Sequence, residues 1–139
     1  MSQASAPIVV LAAVIEHGGR YLLARRLKGT HLAGLWEFPG GKCEADETHE
    51  TCLARELREE LGVDATIAAE LIVIDHAYPE RTVRLHFRRC EIAGEPRAML
   101  GQELRWVTPA ELKTLDLPEA DRALVEMLTG EAKSGEPRT

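Results

Sequence analysis

A basic face is the first thing this sequence lacks. Its 17 lysines and arginines stand against 23 aspartates and glutamates, a formal net charge of −6. That balance argues against broad electrostatic binding to nucleic acid. Small anionic ligands stay within reach, because a bound metal ion reverses the local sign. Cysteine is scarce as well: Cys43, Cys52 and Cys90 are odd in number, and none belongs to a CxxC pair. The expectation is free thiols in a reducing cytoplasm rather than a disulfide framework, and no Cys/His spacing supports a zinc site. Long apolar runs are missing too. The run from Ile8 to Ile15 has only eight residues, too few to span a bilayer, and MSQASAP before it carries no basic signal-peptide region. A cytoplasmic protein without membrane association is expected. There is no internal repeat and no linker. The 139 residues read as one domain over 8–130, large enough for a single core, with flexible ends at 1–7 and 131–139.

What is present reads as an α/β pattern. IVVLAAVI (Ile8 to Ile15) is β-branched and continuously apolar, as a strand buried on both faces is. A turn at Gly18-Gly19 returns the chain as a second strand, Arg20 to Arg26, completing a hairpin. Lys28 to Gly34 is a glycine-punctuated loop, and Leu35 to Phe38 is short and extended before Pro39-Gly40-Gly41 breaks it. Thr48 caps a helix from His49 to Leu61, which Gly62 stops; Leu53, Leu57 and Leu61 form its apolar stripe. Two β-rich segments follow, Ala65 to Pro79 and Arg81 to Ile92, joined at Pro79-Glu80. In the second, Val83, Leu85 and Phe87 alternate with Arg84, His86 and Arg88, which predicts one exposed face. Glu103 to Val107 is a further strand. Thr108 to Glu111 is a capping box with proline at the first helical position, and an amphipathic helix runs from Pro118 to Leu128. The pattern predicts a mixed sheet with helices on both faces.

The acids are distributed unevenly. From Glu44 to Glu60 there are seven, against two arginines. Glu56, Glu59 and Glu60 share one face of the predicted helix at i, i+3 and i+4, a spacing at which each like-charged pair costs an isolated helix about 0.2–0.5 kcal/mol. A charge run is ordinarily a solvated face, here relieved by Arg55 and Arg58. Two features point elsewhere. The carboxylates sit beside a packing leucine stripe, which suits a preorganised site. They also neighbour Gly40-Gly41, whose bare backbone allows close approach. Clustered carboxylates with carbonyl and water oxygens are ligands for Mg²⁺ or Mn²⁺ rather than zinc, and Mg²⁺ bridges carboxylates to phosphates. From the residues alone, the solvated face and the divalent-metal site for phosphate chemistry both stand.

Gly41, Glu47 and the run Arg55 to Val63 match the Nudix box, GX5EX7REUXEEXGU, at every fixed position. The lead-in LWEFPGGK resembles the MutT branch of nucleoside triphosphate hydrolases, and the resemblance covers roughly residues 8 to 129. It implies the Nudix fold, a mixed β-sheet sandwiched between α-helices. It implies metal binding by Glu56, Glu59 and Glu60 with the Gly40 carbonyl, and catalysis resting on Glu56, Glu59 and Arg55. Arg55 would orient the glutamates, Glu47 would brace the loop against the helix, and Gly41 and Gly62 would serve backbone conformation. The implied cofactor is Mg²⁺, with Mn²⁺ as an alternative. The implied reaction is attack of water on a nucleoside triphosphate, releasing the monophosphate and pyrophosphate.

The implied substrate is an oxidised or noncanonical (deoxy)nucleoside triphosphate such as 8-oxo-dGTP. A (deoxy)cytidine or modified pyrimidine triphosphate is the alternative, and a nucleotide-binding module without turnover is the non-enzymatic one. Arg26, with Arg25, Lys42, Tyr78 and Asp121 are the candidate substrate contacts. Asp121 takes the place where an asparagine reads oxidised guanine in MutT and where related cytidine triphosphate hydrolases carry aspartate; its plainer role is a first-turn helix acid. Leu100 stands where relatives often carry a further glutamate, and Glu103, three residues on, is either its substitute or a strand residue. A free nucleotide rather than nucleic acid is the expected partner, and monomer and homodimer are both open.

Overall fold

The computed structural model of the protein describes residues 6–25 and 34–130. β1 (Ile8–His17) and β2 (Arg20–Arg25) form the expected hairpin, followed by β3 (Trp36–Glu37), β4 (Gly40–Lys42) and α1 (His49–Leu61). Then come β5 (Asp64–Ala77), β6 (Thr82–Ala93), β7 (Glu103–Val107), α2 (Pro109–Leu112), a 3₁₀ turn (Glu119–Asp121) and α3 (Arg122–Thr129). The strands join in the order β3-β2-β1-β6-β5, with β4 paired to β1 and β7 to β2. β1 runs parallel to β6 from Ile8↔Val83 to Ile15↔Cys90 and antiparallel to β4 at Val10↔Lys42 to Ala12↔Gly40. The mixed sheet is as expected.

The apolar run of β1 fills two cores because successive side chains leave opposite faces of a strand. Leu11, Ala13 and Ile15 pack with Leu53, Leu57 and Leu61 of α1. Ala12 and Val14 pack on the other side with Phe87, Leu112 of α2 and Leu124 of α3. Helices therefore cover both faces. α1 keeps its predicted bounds: the Thr48 side chain accepts from the Thr51 N–H, and Gly62 closes the helix in a left-handed conformation (φ 68°) with its N–H on the Arg58 carbonyl. The capping box at Thr108 and Glu111 is also formed.

Three expectations are corrected. First, the polar face of β6 is only partly open: the Arg84 side chain is 43% exposed, but those of His86 and Arg88 are 13% and 14% exposed. The first turn of α1 lies over them, with Arg88 paired to Glu50 and the His49 and His86 rings 4.4 Å apart. Alternation reports two chemically different faces, not which of them a helix will cover. Second, the last helix begins at Arg122, because the Asp121 N–H bonds to the Pro118 carbonyl and makes residues 119–121 a 3₁₀ turn. Third, Cys43 and Cys52 are not free thiols but a disulfide, with Cα atoms 5.3 Å apart. The chain after β4 doubles back onto the start of α1, so a spacing without a CxxC signal becomes a contact. Cys90 is free and buried.

Candidate active site

Two elements carry the site, the glycine strand β4 and the helix α1. Gly40 and Gly41 are there for space. A Cβ at Gly40 would overlap the Leu11 carbonyl oxygen across the β1–β4 ladder, and one at Gly41 would overlap the Glu56 carboxylate. The bare backbone thus lets a carboxylate lie directly against β4. On α1, the buried Leu53, Leu57 and Leu61 fix the rotation of the helix, and that rotation turns Glu56 and Glu60 toward the strand.

Glu56 is 14% exposed. Burial, and next the Glu56 charge and a hydrogen bond with it, push the Glu60 carboxyl up to about 8, with Glu37 adding to the effect. The Gly40 N–H lies 3.4 Å from Glu60 Oε1 and acts the other way. Two carboxylates so close in a half-dry setting are relieved by a shared proton or by a cation. The donor chemistry, carboxylate oxygens against peptide backbone, fits a hard divalent ion. Glu59 is different: it is 58% exposed and linked to Arg55 Nη1 at 3.3 Å.

Arg55 joins these parts. Its Nε donates to Glu47 Oε2 at 2.6 Å and its Nη2 to Glu47 Oε1 at 2.9 Å. Nη1 reaches Glu56 Oε2 at 3.2 Å, and Nη2 also reaches the Lys42 carbonyl at 3.3 Å. The Arg55 hydrogen bonds, followed by the Glu44 N–H, hold the Glu47 carboxyl at about 2, and in return the Arg55 guanidinium is held more firmly protonated.

A cavity of about 540 Å³ opens beside β4. Gly40, Gly41, Lys42, Tyr78 and Asp121 all line it, so five candidate residues from three separate stretches of sequence meet in one space. Its walls are largely apolar, including Val10, Leu85 and Phe87. Asp121 is 5% exposed and stands at the N-cap of α3 without a side-chain capping hydrogen bond. Arg26 lies outside the described residues. Arg25 points elsewhere: it pairs with Glu103 at 3.0 Å, and its guanidinium lies 5.4 Å from the centre of the Trp36 ring. Glu103 lies at the start of β7, 64% exposed in that ion pair, and Leu100 is 56% exposed.

Two residues of the site had no signal in the sequence reading. Glu37 of β3 lines the same cavity and raises Glu60; it stands in a two-residue strand between aromatics, too short to show alternation. Gln102 is buried at 8%; its Nε2 donates to the Glu60 carbonyl at 3.0 Å and its Oε1 accepts from the Leu100 N–H at 2.9 Å. With the N–H groups of Met99 and Arg97 on the carbonyls of Glu60 and Leu61, it satisfies the open end of α1 where Glu60 sits. A second cluster, His49, Glu70 and His86, gathers at the other end of α1, with His86 Nδ1 2.7 Å from Glu70 Oε1.

A family model described as NUDIX domain matches residues 10–127. The chain is 41% identical over 120 residues to CTP pyrophosphohydrolase of Escherichia coli, covering 86% of this chain and 89% of that protein. It is 40% identical over 123 residues to putative 8-oxo-dGTP diphosphatase 2 of Mycobacterium tuberculosis, covering 84% of each. Among solved structures, the MutT protein of Methanosarcina mazei superposes with a TM-score of 0.83 at 26% identity, covering 95% of this chain and 99% of that one.

Proposed function

This chain belongs to the NUDIX domain family and is a hydrolase of that family, and from this premise we propose that it cleaves a nucleoside triphosphate to the monophosphate and pyrophosphate. The observation that carries the reading is the cavity that Gly40, Gly41 and Lys42 share with Tyr78 and Asp121. Phosphate-compatible backbone and a base-sized apolar space are continuous there. Enzymes of the family use divalent ions, and we take Mg²⁺ as the ion, with Mn²⁺ able to replace it. Glu56, Glu59 and Glu60 would hold it together with the backbone of Gly40. When bound, it neutralises polyphosphate charge and lowers the pKa of coordinated water.

The chain's own residues do the rest. Arg55 fixes the Glu56 and Glu59 carboxylates while Glu47 holds Arg55 from behind, so the acids are set before substrate arrives. Glu56 or Glu59 accepts the proton of the attacking water. Lys42 offers a cation to the phosphates. Tyr78 offers a ring against the base, and Asp121 accepts hydrogen bonds from its edge.

For the base, we take an oxidised or noncanonical purine such as 8-oxo-dGTP, whose edge presents several N–H donors to an acidic pocket. A second reading, a cytidine triphosphate, has a specific observation behind it: the buried acid at Asp121 also suits the exocyclic amine of cytosine. Clearing such nucleotides from a cytoplasmic pool, without contact to nucleic acid, is the accompanying role. The deciding experiment measures pyrophosphate release from 8-oxo-dGTP, dGTP, CTP, dCTP and 5-substituted dCTP with Mg²⁺. A kcat/KM highest for 8-oxo-dGTP supports the first reading, one highest for CTP or dCTP supports the second, and equal values across the set overturn both.

A further inference from the structure

The carboxylate site depends on how β4 sits against α1, and one covalent bond ties the two together. Cys43 follows β4 directly and its N–H donates to the Val9 carbonyl at 3.1 Å. Cys52 lies one turn into α1, fully buried in the core that holds Leu53 and Leu57. Their disulfide closes the loop over a separation of nine residues. A carboxylate oxygen of Glu47 lies within 4.8 Å of both sulfurs, and Arg55 grips that carboxylate from α1. The loop between β4 and α1 is therefore clamped twice, once by the ion pair and once by the disulfide. The ion pair is permanent at neutral pH; the disulfide depends on its surroundings.

We propose that Cys43 and Cys52 are a reversible oxidation site that locks the glycine strand to the carboxylate helix under oxidising conditions and releases it under reducing ones. In the cytoplasm, the location proposed above, disulfides are characteristically transient, catalytic or redox-sensing rather than structural. The unequal burial of the two sulfurs supplies the chemistry. Cys43 is partly exposed while Cys52 is sealed. The Cys43 thiolate attacks hydrogen peroxide; an S–O bond forms, the O–O bond breaks, and the departing hydroxide leaves as water after protonation. The Cys52 thiol then attacks the Cys43 sulfenic acid; the S–S bond forms, the S–O bond breaks, and the hydroxyl departs as a second water. The dithiol supplies two electrons and the two thiol protons end on water. A small dithiol reverses the change. One of its thiolates attacks Cys43, the accessible sulfur; the protein S–S bond breaks, and Cys52 leaves and takes up a proton. The second thiol of the reagent then attacks the reagent sulfur of the mixed disulfide, releasing Cys43 and leaving the reagent as its own disulfide. Cys90 does not compete, because burial pushes its thiol up to about 12 and leaves almost no thiolate at neutral pH.

The test uses the full chain in two states, treated with hydrogen peroxide or with dithiothreitol and then desalted. Thiols counted after denaturation should be one in the oxidised state, from Cys90, and three in the reduced state. Melting should fall by about 5–10 °C on reduction, the loss expected when a short loop is reopened in a chain of this size. Titration of nucleotide-free protein with Mn²⁺, followed by electron paramagnetic resonance, should show about tenfold weaker binding in the reduced state. That last readout rests on the metal-site reading of Glu56, Glu59 and Glu60, whereas the thiol count and the melting shift do not. Cys43→Ala should lose all three differences, and Cys90→Ala should keep the melting and Mn²⁺ differences. Three thiols persisting after peroxide would overturn the proposal. So would a bond that resists dithiothreitol in the folded protein, or two states that melt alike.

Discussion

Arg55 and Glu47 meet through two parallel hydrogen bonds, at 2.6 and 2.9 Å, and the same guanidinium reaches Glu56 at 3.2 Å. One cation thus fixes the loop carboxylate on one side and a site carboxylate on the other. Charge-assisted forks of this kind are strong and directional, which explains why a helix already crowded with acids carries an arginine at this position.

That pair sets an acid limit on stability. Glu47 is held at about 2 in the fold against an ordinary 4.5, so between those values the unfolded chain binds more protons than the folded one. The contribution of Glu47 is fully present above about 4.5 and is lost as pH falls through 2. In denaturant titrations, Glu47→Gln should be less stable than the parent at pH 7, and the gap should shrink steadily below pH 4.5. A gap constant with pH would show that the ion pair contributes nothing through charge.

The two glycines of β4 separate folding from chemistry. Gly40→Ala drives a methyl into the Leu11 backbone carbonyl, which cannot swing aside, and should cost about 2–3 kcal/mol of stability. Gly41→Ala meets the end of the Glu56 side chain, which can move. It should keep most of the stability and lose about tenfold to 100-fold in kcat through a displaced carboxylate. Thermal melting beside pyrophosphate release reads both; the reverse ranking would show that the Glu56 carboxylate is not held by the strand.

Much of this was legible from spacing. Thr48, Gly62 and the leucines at every fourth residue delimit α1, because caps and period act locally. The glutamates and Arg55 were legible because the box spacing links each to the same helix. Gln102 and Glu37 were not, because each acquires its role only when a separate loop or strand arrives beside Glu60. The Cys43–Cys52 bond hides for the same reason: loop closure, not sequence proximity, brings the sulfurs together. Arg88 shows the converse, an alternating polar residue that reads as exposed until Glu50 of α1 covers it.

Glu59 offers the cleanest test of the metal reading, since it is exposed and pairs with Arg55 at 3.3 Å. An exposed ion pair of this type contributes at most about 0.5 kcal/mol, so Glu59→Gln should melt within about 2 °C of the parent. If the carboxylate holds the ion, kcat should fall by about 100-fold to 1,000-fold. Chelation of the parent with excess EDTA should abolish turnover reversibly. Full activity in Glu59→Gln would remove this residue from the metal site.

Asp121 carries the question of the base. It is buried at 5%, lines the cavity, and makes no capping bond to the helix it precedes. An ionised carboxylate accepts hydrogen bonds and offers none, whereas an asparagine in its place does both. Asp121→Asn therefore keeps the volume and changes only the polarity presented to the base edge. Preference for 8-oxo-dGTP over dCTP, taken as the ratio of kcat/KM values, should shift by about tenfold to 100-fold, the worth of one buried hydrogen bond made or left unmade. Asp121→Ala should lower kcat/KM for both nucleotides while leaving turnover of an abasic polyphosphate such as ribose 5-triphosphate nearly unchanged. If Asp121→Asn left the ratio untouched, the acid would be a packing residue of the 3₁₀ turn, and base recognition would pass to Glu37 and Tyr78 on the same cavity wall.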